Sequence, residues 1–303
     1  MLGFIMLSVG LTALVIIMLV SFALTASKLK ITLPANAPDR WLAEHEQPTA
    51  RSDRQRPIIV CAGDSITHGA ISANWVEILE KRIHQADFIN AGVNSELAWN
   101  LYQRLNRIIE IDPDVVIILI GTNDANATFG LKSTLNYLAM QKLPELPSPY
   151  FYKESLTLIL RKLKKESHAR VALASIPPIG EDPGHYSWIR AEEYANIGKE
   201  VARAEGVEYL PLHEKCCAYI ESAPAKQPAP LEAFGRLTQR ALWDHQMFGK
   251  SWDEISAANG FHLLIDGIHF NSHGAIIMAD QVERFIQANI RVVPTQAPKN
   301  INI

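Results

Sequence analysis

The sequence predicts an α/β domain, a parallel sheet with helices on both faces. From Pro57 onward, short apolar runs alternate with stretches whose apolar residues recur every three or four positions, the pattern of repeated βαβ units. One run, Asp114–Ile120, is apolar enough to be a central strand buried on both faces. The chain has 303 residues, 48% of them hydrophobic and 20% charged, which suffices for a full core.

Pro57–Ala62 is the first expected strand, and a helix follows over Ser72–Ile83 with Trp75, Ile78, Leu79 and Ile83 on one side. A short strand at Phe88–Ala91 precedes a helix striped by Leu97, Leu101, Leu105 and Ile108. After the central strand, Leu156, Ile159, Leu160 and Leu163 mark a helix, and Arg170–Ile176 a strand stopped by Pro177-Pro178. A helix over Arg190–Glu205 leads into a strand at Val207–Leu210, and Ala275, Met278, Val282 and Phe285 give a closing helix. Two connections exceed ordinary loop length, 126–150 and 222–264, and are expected around a site mouth. The second has helical spacing over Leu231–Met247, as a lid or as an extension of the core.

The N-terminus stands apart. Residues 2–26 carry no charge and are long enough to cross a bilayer. No Lys or Arg precedes Lys28, so an uncleaved transmembrane anchor over 1–27 is expected over a signal peptide, whose cleavage would leave a secreted chain. Lys28, Lys30 and Arg40 favour a cytoplasmic domain by the positive-inside rule, whereas enzymes with one N-terminal anchor often face outward; the side stays open. Residues 28–56, rich in proline and charge and without apolar periodicity, read as a linker, 57–291 as the folded domain and 292–303 as a tail.

Composition excludes several classes. A net charge of −3 gives no field for nucleic acid, and the basic run Arg161–Lys165 reads as the cationic end of a helix. Three cysteines without a Cys-x-x-Cys pair imply neither a disulfide framework nor a zinc ribbon. Gly249-Lys250-Ser251 has Asp244 where a phosphate loop needs its first glycine, and Asn126-Ala127-Thr128 fits a glycosylation acceptor only formally. There is no Gly-x-Ser-x-Gly elbow.

Three strings carry chemistry. Gly63-Asp64-Ser65 follows the first strand and Gly121-Thr122-Asn123-Asp124 the central one, so both fall at the C-terminal sheet edge where open parallel sheets bind ligands. The third, Asp266-Gly267-Ile268-His269, spaces a carboxylate to hold one ring nitrogen of His269 and leave the other free to take a proton from serine. Alone, each string is ordinary cap or turn chemistry. Together they supply a nucleophile, an amide donor for an oxyanion, and an oriented base. His273, four residues beyond His269, lacks the acidic or cysteine partners of a metal site; His68 and His262 read as rim or structural residues.

These strings resemble the SGNH hydrolases, the GDSL-type esterases and lipases, with the likeness covering about Pro57–Ile290. The Ser block is Gly63-Asp64-Ser65-Ile66-Thr67, the Asn block Gly121–Asp124, and the His block Asp266–His269 followed by Asn271 and Gly274. Asn90-Ala91-Gly92-Val93-Asn94 fits the Gly block. Ile66 replaces the Leu of the family's other name, and Ser95 stands where a second Gly is frequent. The resemblance implies a three-layer flavodoxin-like sheet of five parallel strands, a shallow site at its C-terminal edge, no metal or organic cofactor, and Gly92 as a backbone oxyanion donor.

The expected activity is a serine ester hydrolase with an acyl-enzyme intermediate. Ser65 attacks, His269 moves the proton, Asp266 orients His269, and the N–H groups of Ser65 and Gly92 with the Asn123 amide hold the oxyanion. The rate should rise with pH through about 6 to 7, the reference range of a histidine base. The substrate is a small-molecule, lipid or glycan ester; a carbohydrate O-acetylesterase and a lysophospholipase are alternatives within this chemistry. A membrane-tethered binding protein on an unused hydrolase scaffold is the alternative outside it. Tyr150, Tyr186, Trp188 and Trp243 are candidate rim aromatics.

Overall fold

The computed structural model describes residues 32–45 and 54–290. Its centre is one sheet of five parallel strands: β1 Ile58–Gly63, β2 Asp87–Gly92, β3 Val115–Leu119, β4 Arg170–Ala174 and β5 Glu208–Leu210, in the order β2-β1-β3-β4-β5. This is the flavodoxin-like order, with a switch point where the chain reverses between β1 and β3. β1 and β3 are buried along their whole length, which is why both read as unbroken apolar runs. Gly63 lies level with Gly92 on one side and Leu119 on the other, so the turns leaving β1, β2 and β3 start at one edge.

Helices cover both faces. In chain order they are α1 Pro38–Glu44, α2 Ser65–His68, α3 Trp75–Arg82, α4 Ala98–Gln103, α5 Leu105–Glu110, α6 Thr122–Asn126, α7 Leu131–Met140, α8 Pro149–Glu166, α9 Tyr186–Glu205, α10 Leu212–Ser222, α11 Phe234–Phe248, α12 Trp252–Ala258 and α13 Ser272–Asn289. One group joins α3 and α10 to α13, and another joins α4, α5 and α9 to α8. Their inward residues form one core with the strands, including Trp75, Leu79, Leu101, Leu156 and Met278. The cationic end of α8 is tied to α9, with the Arg161 guanidinium 2.9 Å from Glu205.

Two differences from expectation have local causes. The expected linker contains α1. Pro38 stands at the start of that helix, where a missing N–H costs nothing, so prolines that read as breakers include a starter. Before it, Asn36 caps the open edge of β2: its Nδ2 donates to Phe88 O at 3.0 Å and its carbonyl accepts from Asn90 N at 3.2 Å. The single helix expected over 97–108 is two, broken at Arg104, whose side chain donates to Gly63 O at 3.2 Å and Ala91 O at 2.8 Å and clamps the ends of β1 and β2. The long connection 126–150 carries α7.

The expected span at 1–27, the rest of the linker and the tail after 291 lie outside the described residues. Among the described residues no helix is long and apolar enough to cross a membrane.

Candidate active site

Ser65 is placed by the end of β1. The Asp64 carboxylate accepts the Ile66 N–H at 2.9 Å and caps the short α2, so Ser65 opens that helix with its hydroxyl at the sheet edge. The first N–H groups of a helix have no partner within it, which suits them to an anion.

His269 comes from the loop before α13, and that loop is held from several directions. Ile265 N–H donates to His269 O and Asn271 N–H to Leu263 O, both at 2.8 Å. Glu181 accepts the N–H groups of His262, Leu263 and Leu264 at 2.6 to 2.9 Å, and Asn271 caps α13 through Gly274 N. The Ser65 hydroxyl lies 2.9 Å from His269 Nε2, and His269 Nδ1 2.8 Å from Asp266 Oδ2. Because the carboxylate only accepts, Nδ1 carries the proton and Nε2 is left unprotonated, an acceptor for the Ser65 hydroxyl.

Asp266 is wholly buried, a costly place for a charge. Four donors offset this: the N–H groups of Ile268 and His269 on Oδ1, and His269 Nδ1 with the Thr238 hydroxyl on Oδ2. Burial pushes its carboxyl up, but the His269 charge and these hydrogen bonds outweigh it and hold the group below its usual value. Burial pulls His269 down, yet Asp266 and then Asp64 outweigh that and raise it above 6.5. His269 is therefore half-neutral at a pH above the ordinary histidine value of 6.5.

Asn123 leaves β3 through Gly121, whose φ of 126° lies in a region open to glycine and whose missing Cβ makes room for the Tyr152 hydroxyl. Asn123 Nδ2 donates to Glu96 O at 3.0 Å, and Oδ1 accepts from Tyr137 Oη at 2.8 Å. One of the two protons on Nδ2 is thus placed by Glu96, and the other is of the right kind for a substrate oxygen.

Gly92 does not fit its expected role. Its N–H donates to Asn90 Oδ1 at 2.9 Å, and a Cβ at this position would fall 2.2 Å from His68 N, so Gly92 is needed to pack β2 beneath the α2 turn. Three residues on, Ser95 has a φ of 65° and lines the same cleft as Ser65 and Asn123. The strained serine occupies the left-handed region that a second glycine would adopt freely.

Two further carboxyls lie beneath the turns. Burial raises Asp64 to about 7 and Asp124 to about 8, the latter aided by its proximity to Asp64. Asp124 accepts the Ala98 N–H at 3.1 Å and so ties the β3 turn to α4.

The cleft over these groups has a volume of about 860 Å³. α7 contributes Ser133, Tyr137 and Met140 to one part of its lining, and α11 contributes Phe234, Thr238 and Leu242 to another. The helical stretch expected near 231–247 therefore lines the site, and it also packs on α12 through Ala241. A smaller cavity of about 480 Å³ shares Leu231 and Phe234 but contains no residue of the Ser65–His269–Asp266 chain.

The other candidates sort plainly. His273 is exposed beside Tyr219, apart from buried His269, and among the described residues no group of three or more His, Cys, Asp or Glu could hold a metal ion. His68 is structural, its Nε2 2.7 Å from Thr32 O. Of the four aromatics, Trp188 is buried, Tyr150 is exposed and bonded to Glu154, and Tyr186 stands edge-on to Phe129, which lines the cleft. Trp243 is half-buried on α11. Thr238, Tyr137, Glu181 and Arg104 were not expected, because each acts through a contact at least eight residues away and belongs to no string.

The profile described as the GDSL-like Lipase/Acylhydrolase family matches residues 61–275. Among solved structures, a lipase/acylhydrolase from Enterococcus faecalis is similar, at 21% identity and TM-score 0.51 over 80% of this chain and 100% of that one. The acetyl xylan esterase AlAXEase gives 18% identity and TM-score 0.53 over 76% and 99%. Axe2, an acetylxylan esterase from Geobacillus stearothermophilus, gives 17% identity and TM-score 0.55 over 79% and 97%. At these identities the structures share the fold alone. A comparison with curated protein sequences returns no match.

Proposed function

The chain belongs to the GDSL-like lipase/acylhydrolase family, and from that premise we propose that it is a serine ester hydrolase working through an acyl-enzyme at Ser65. The observation that carries this is the unbroken chain from Ser65 Oγ to His269 Nε2 at 2.9 Å and from His269 Nδ1 to Asp266 at 2.8 Å.

His269 takes the serine proton as Oγ attacks the ester carbonyl, and gives it to the departing alcohol when the tetrahedral intermediate collapses. A water, deprotonated by the same nitrogen, then releases the acid and restores Ser65. The buried Asp266 carboxylate stabilises the imidazolium that forms in each step. Oxyanion donors in this reading are the Ser65 N–H, the Asn123 amide and the backbone of the Asn94–Ser95 turn, which takes the place first assigned to Gly92. The cleft is mixed in character: Phe234 and Leu242 offer an apolar wall to an acyl chain, while Asn94, Asn126 and Asn136 offer hydrogen bonds to a polar alcohol. The uncharged run 2–26 is read as a membrane anchor for this domain, and retention of the full chain in the membrane after alkaline carbonate washing would support it.

Ser65→Ala should lower turnover of p-nitrophenyl acetate by about 10⁴-fold or more and abolish labelling by a fluorophosphonate. Full activity of that variant would refute the assignment. A panel of esters from acetyl to palmitoyl then separates a carbohydrate O-acetylesterase from a lysophospholipase by the acyl length preferred.

A further inference from the structure

We propose that Tyr137 is a positioning residue for the oxyanion hole, holding the Asn123 side chain so that its N–H face, not its carbonyl oxygen, meets the substrate. The inference rests on the ester-hydrolase reading and concerns the same site.

An asparagine amide is nearly symmetric in shape and opposite in polarity at its two ends. Turned over, it would present an acceptor to the developing oxyanion and repel it. Two neighbours distinguish the ends here. Glu96 O, a backbone carbonyl that only accepts, faces Nδ2 at 3.0 Å. On the other side the Tyr137 hydroxyl is 2.8 Å from Oδ1.

A phenol can donate or accept, so by itself it would not define a direction. Asn126 supplies the direction, since its Nδ2 donates to Tyr137 Oη at 3.1 Å and turns the single hydroxyl proton toward Asn123. Burial pushes the Tyr137 hydroxyl up to about 12, so it keeps that proton across the working range of a histidine base.

The chain Asn126, Tyr137, Asn123 and Glu96 O runs from the end of α6, through α7, to the turn after β2. α7 is itself pinned. Ser133 Oγ donates to Asn126 O at 2.9 Å and Thr134 Oγ1 to Ala127 O at 2.8 Å, while Gln141, just past its end, donates to Ser95 O at 2.8 Å. Tyr137 also packs beside Leu97, Leu143 and Phe151, which fixes the ring independently of its hydroxyl. Tyr137→Phe should therefore remove the hydrogen bond and leave the packing.

The experiment is a double-mutant cycle in the full chain, with p-nitrophenyl acetate as substrate and a fluorophosphonate as active-site label. Tyr137→Phe alone should lower kcat about 3- to 10-fold, the range of one lost hydrogen bond, with KM within about twofold and Tm lowered by no more than a few degrees. Asn123→Ala should lower kcat by about 10²- to 10³-fold, still above the Ser65→Ala background. If Tyr137 acts through Asn123, adding Tyr137→Phe to Asn123→Ala should change kcat less than about twofold.

An unchanged kcat in Tyr137→Phe would overturn the inference. So would an equal loss in both backgrounds, because Tyr137 would then act on the substrate directly or through the fold. Wild-type protein that neither hydrolyses the ester nor labels would overturn the hydrolase reading and this inference together. Wild-type activity with an additive cycle overturns the inference alone.

Discussion

The turns at the sheet edge and the long connections beside them contribute differently to the site. The turns after β1 and β3 bring Ser65 and Asn123, buried and held by the level ends of fully paired strands. The connections 126–150 and 222–264 bring no reacting group, yet each sends in one hydroxyl: Tyr137 from α7 to Asn123, and Thr238 from α11 to Asp266. The sheet edge places Ser65 and Asn123, and the added helices orient groups around them. A parallel sheet can bring strand ends to one place, but it offers few side chains to contact a group from the solvent side. The helices over the cleft supply those contacts and the substrate walls in the same stroke.

The comparison predicts graded losses. Asn123→Ala strikes a sheet-edge group and should reduce kcat/KM for an aryl acetate by about 10²- to 10³-fold. A loss as small as that from a helix-borne orienter would break the distinction.

Thr238→Val strikes an orienter and keeps the side-chain shape. Removing a donor from the Asp266 carboxylate should cost about tenfold in kcat, within the range for a hydrogen bond to a charge. It should also move the pH profile. In the wild type His269 is raised above 6.5, so activity should climb with pH through a midpoint above that value. Asp266 stays ionised in Thr238→Val, held by His269 and two backbone N–H groups, but no longer shares its charge with the hydroxyl, so the midpoint should shift up. A tenfold loss with an unmoved midpoint would assign Thr238 to substrate binding instead.

The smallest effect concerns stability. Asp124 is raised in the fold from 3.8 to about 8, so the folded state binds a proton that the unfolded chain has released in between. Its stabilising contribution is full below about 4 and is lost as pH rises through about 8. Asp124→Asn retains an acceptor for Ala98 N–H without the ionisation, and should flatten the fall of Tm between pH 5 and 9 by on the order of a few degrees. An identical slope in both proteins would show that Asp124 does not carry this dependence.

Much of the sheet was legible because burial on both faces leaves an unbroken apolar run, as at 115–119, and helices over it leave stripes such as Leu156, Ile159, Leu160 and Leu163. The segment 32–45 was not legible. Its role depends on one asparagine meeting the open edge of β2, a contact that has no period, and its proline density concealed a helix start.

Ser65, Asp266 and His269 could be picked out as candidates from the chain itself because their strings are local: a strand end and a loop of four residues each contain what the proposed chemistry needs. Gly92 was misassigned for the opposite reason. Whether a backbone N–H is available depends on what folds against it, here the Asn90 side chain and the α2 turn. The sequence by itself determined the fold class and picked out Ser65 and His269 as the proposed nucleophile and base, since periodicity and short spacing survive in one dimension. Only the tertiary structure decided which donors face the cleft and which residues aim them, since Tyr137 and Thr238 meet their partners by packing between elements that no spacing along the chain records.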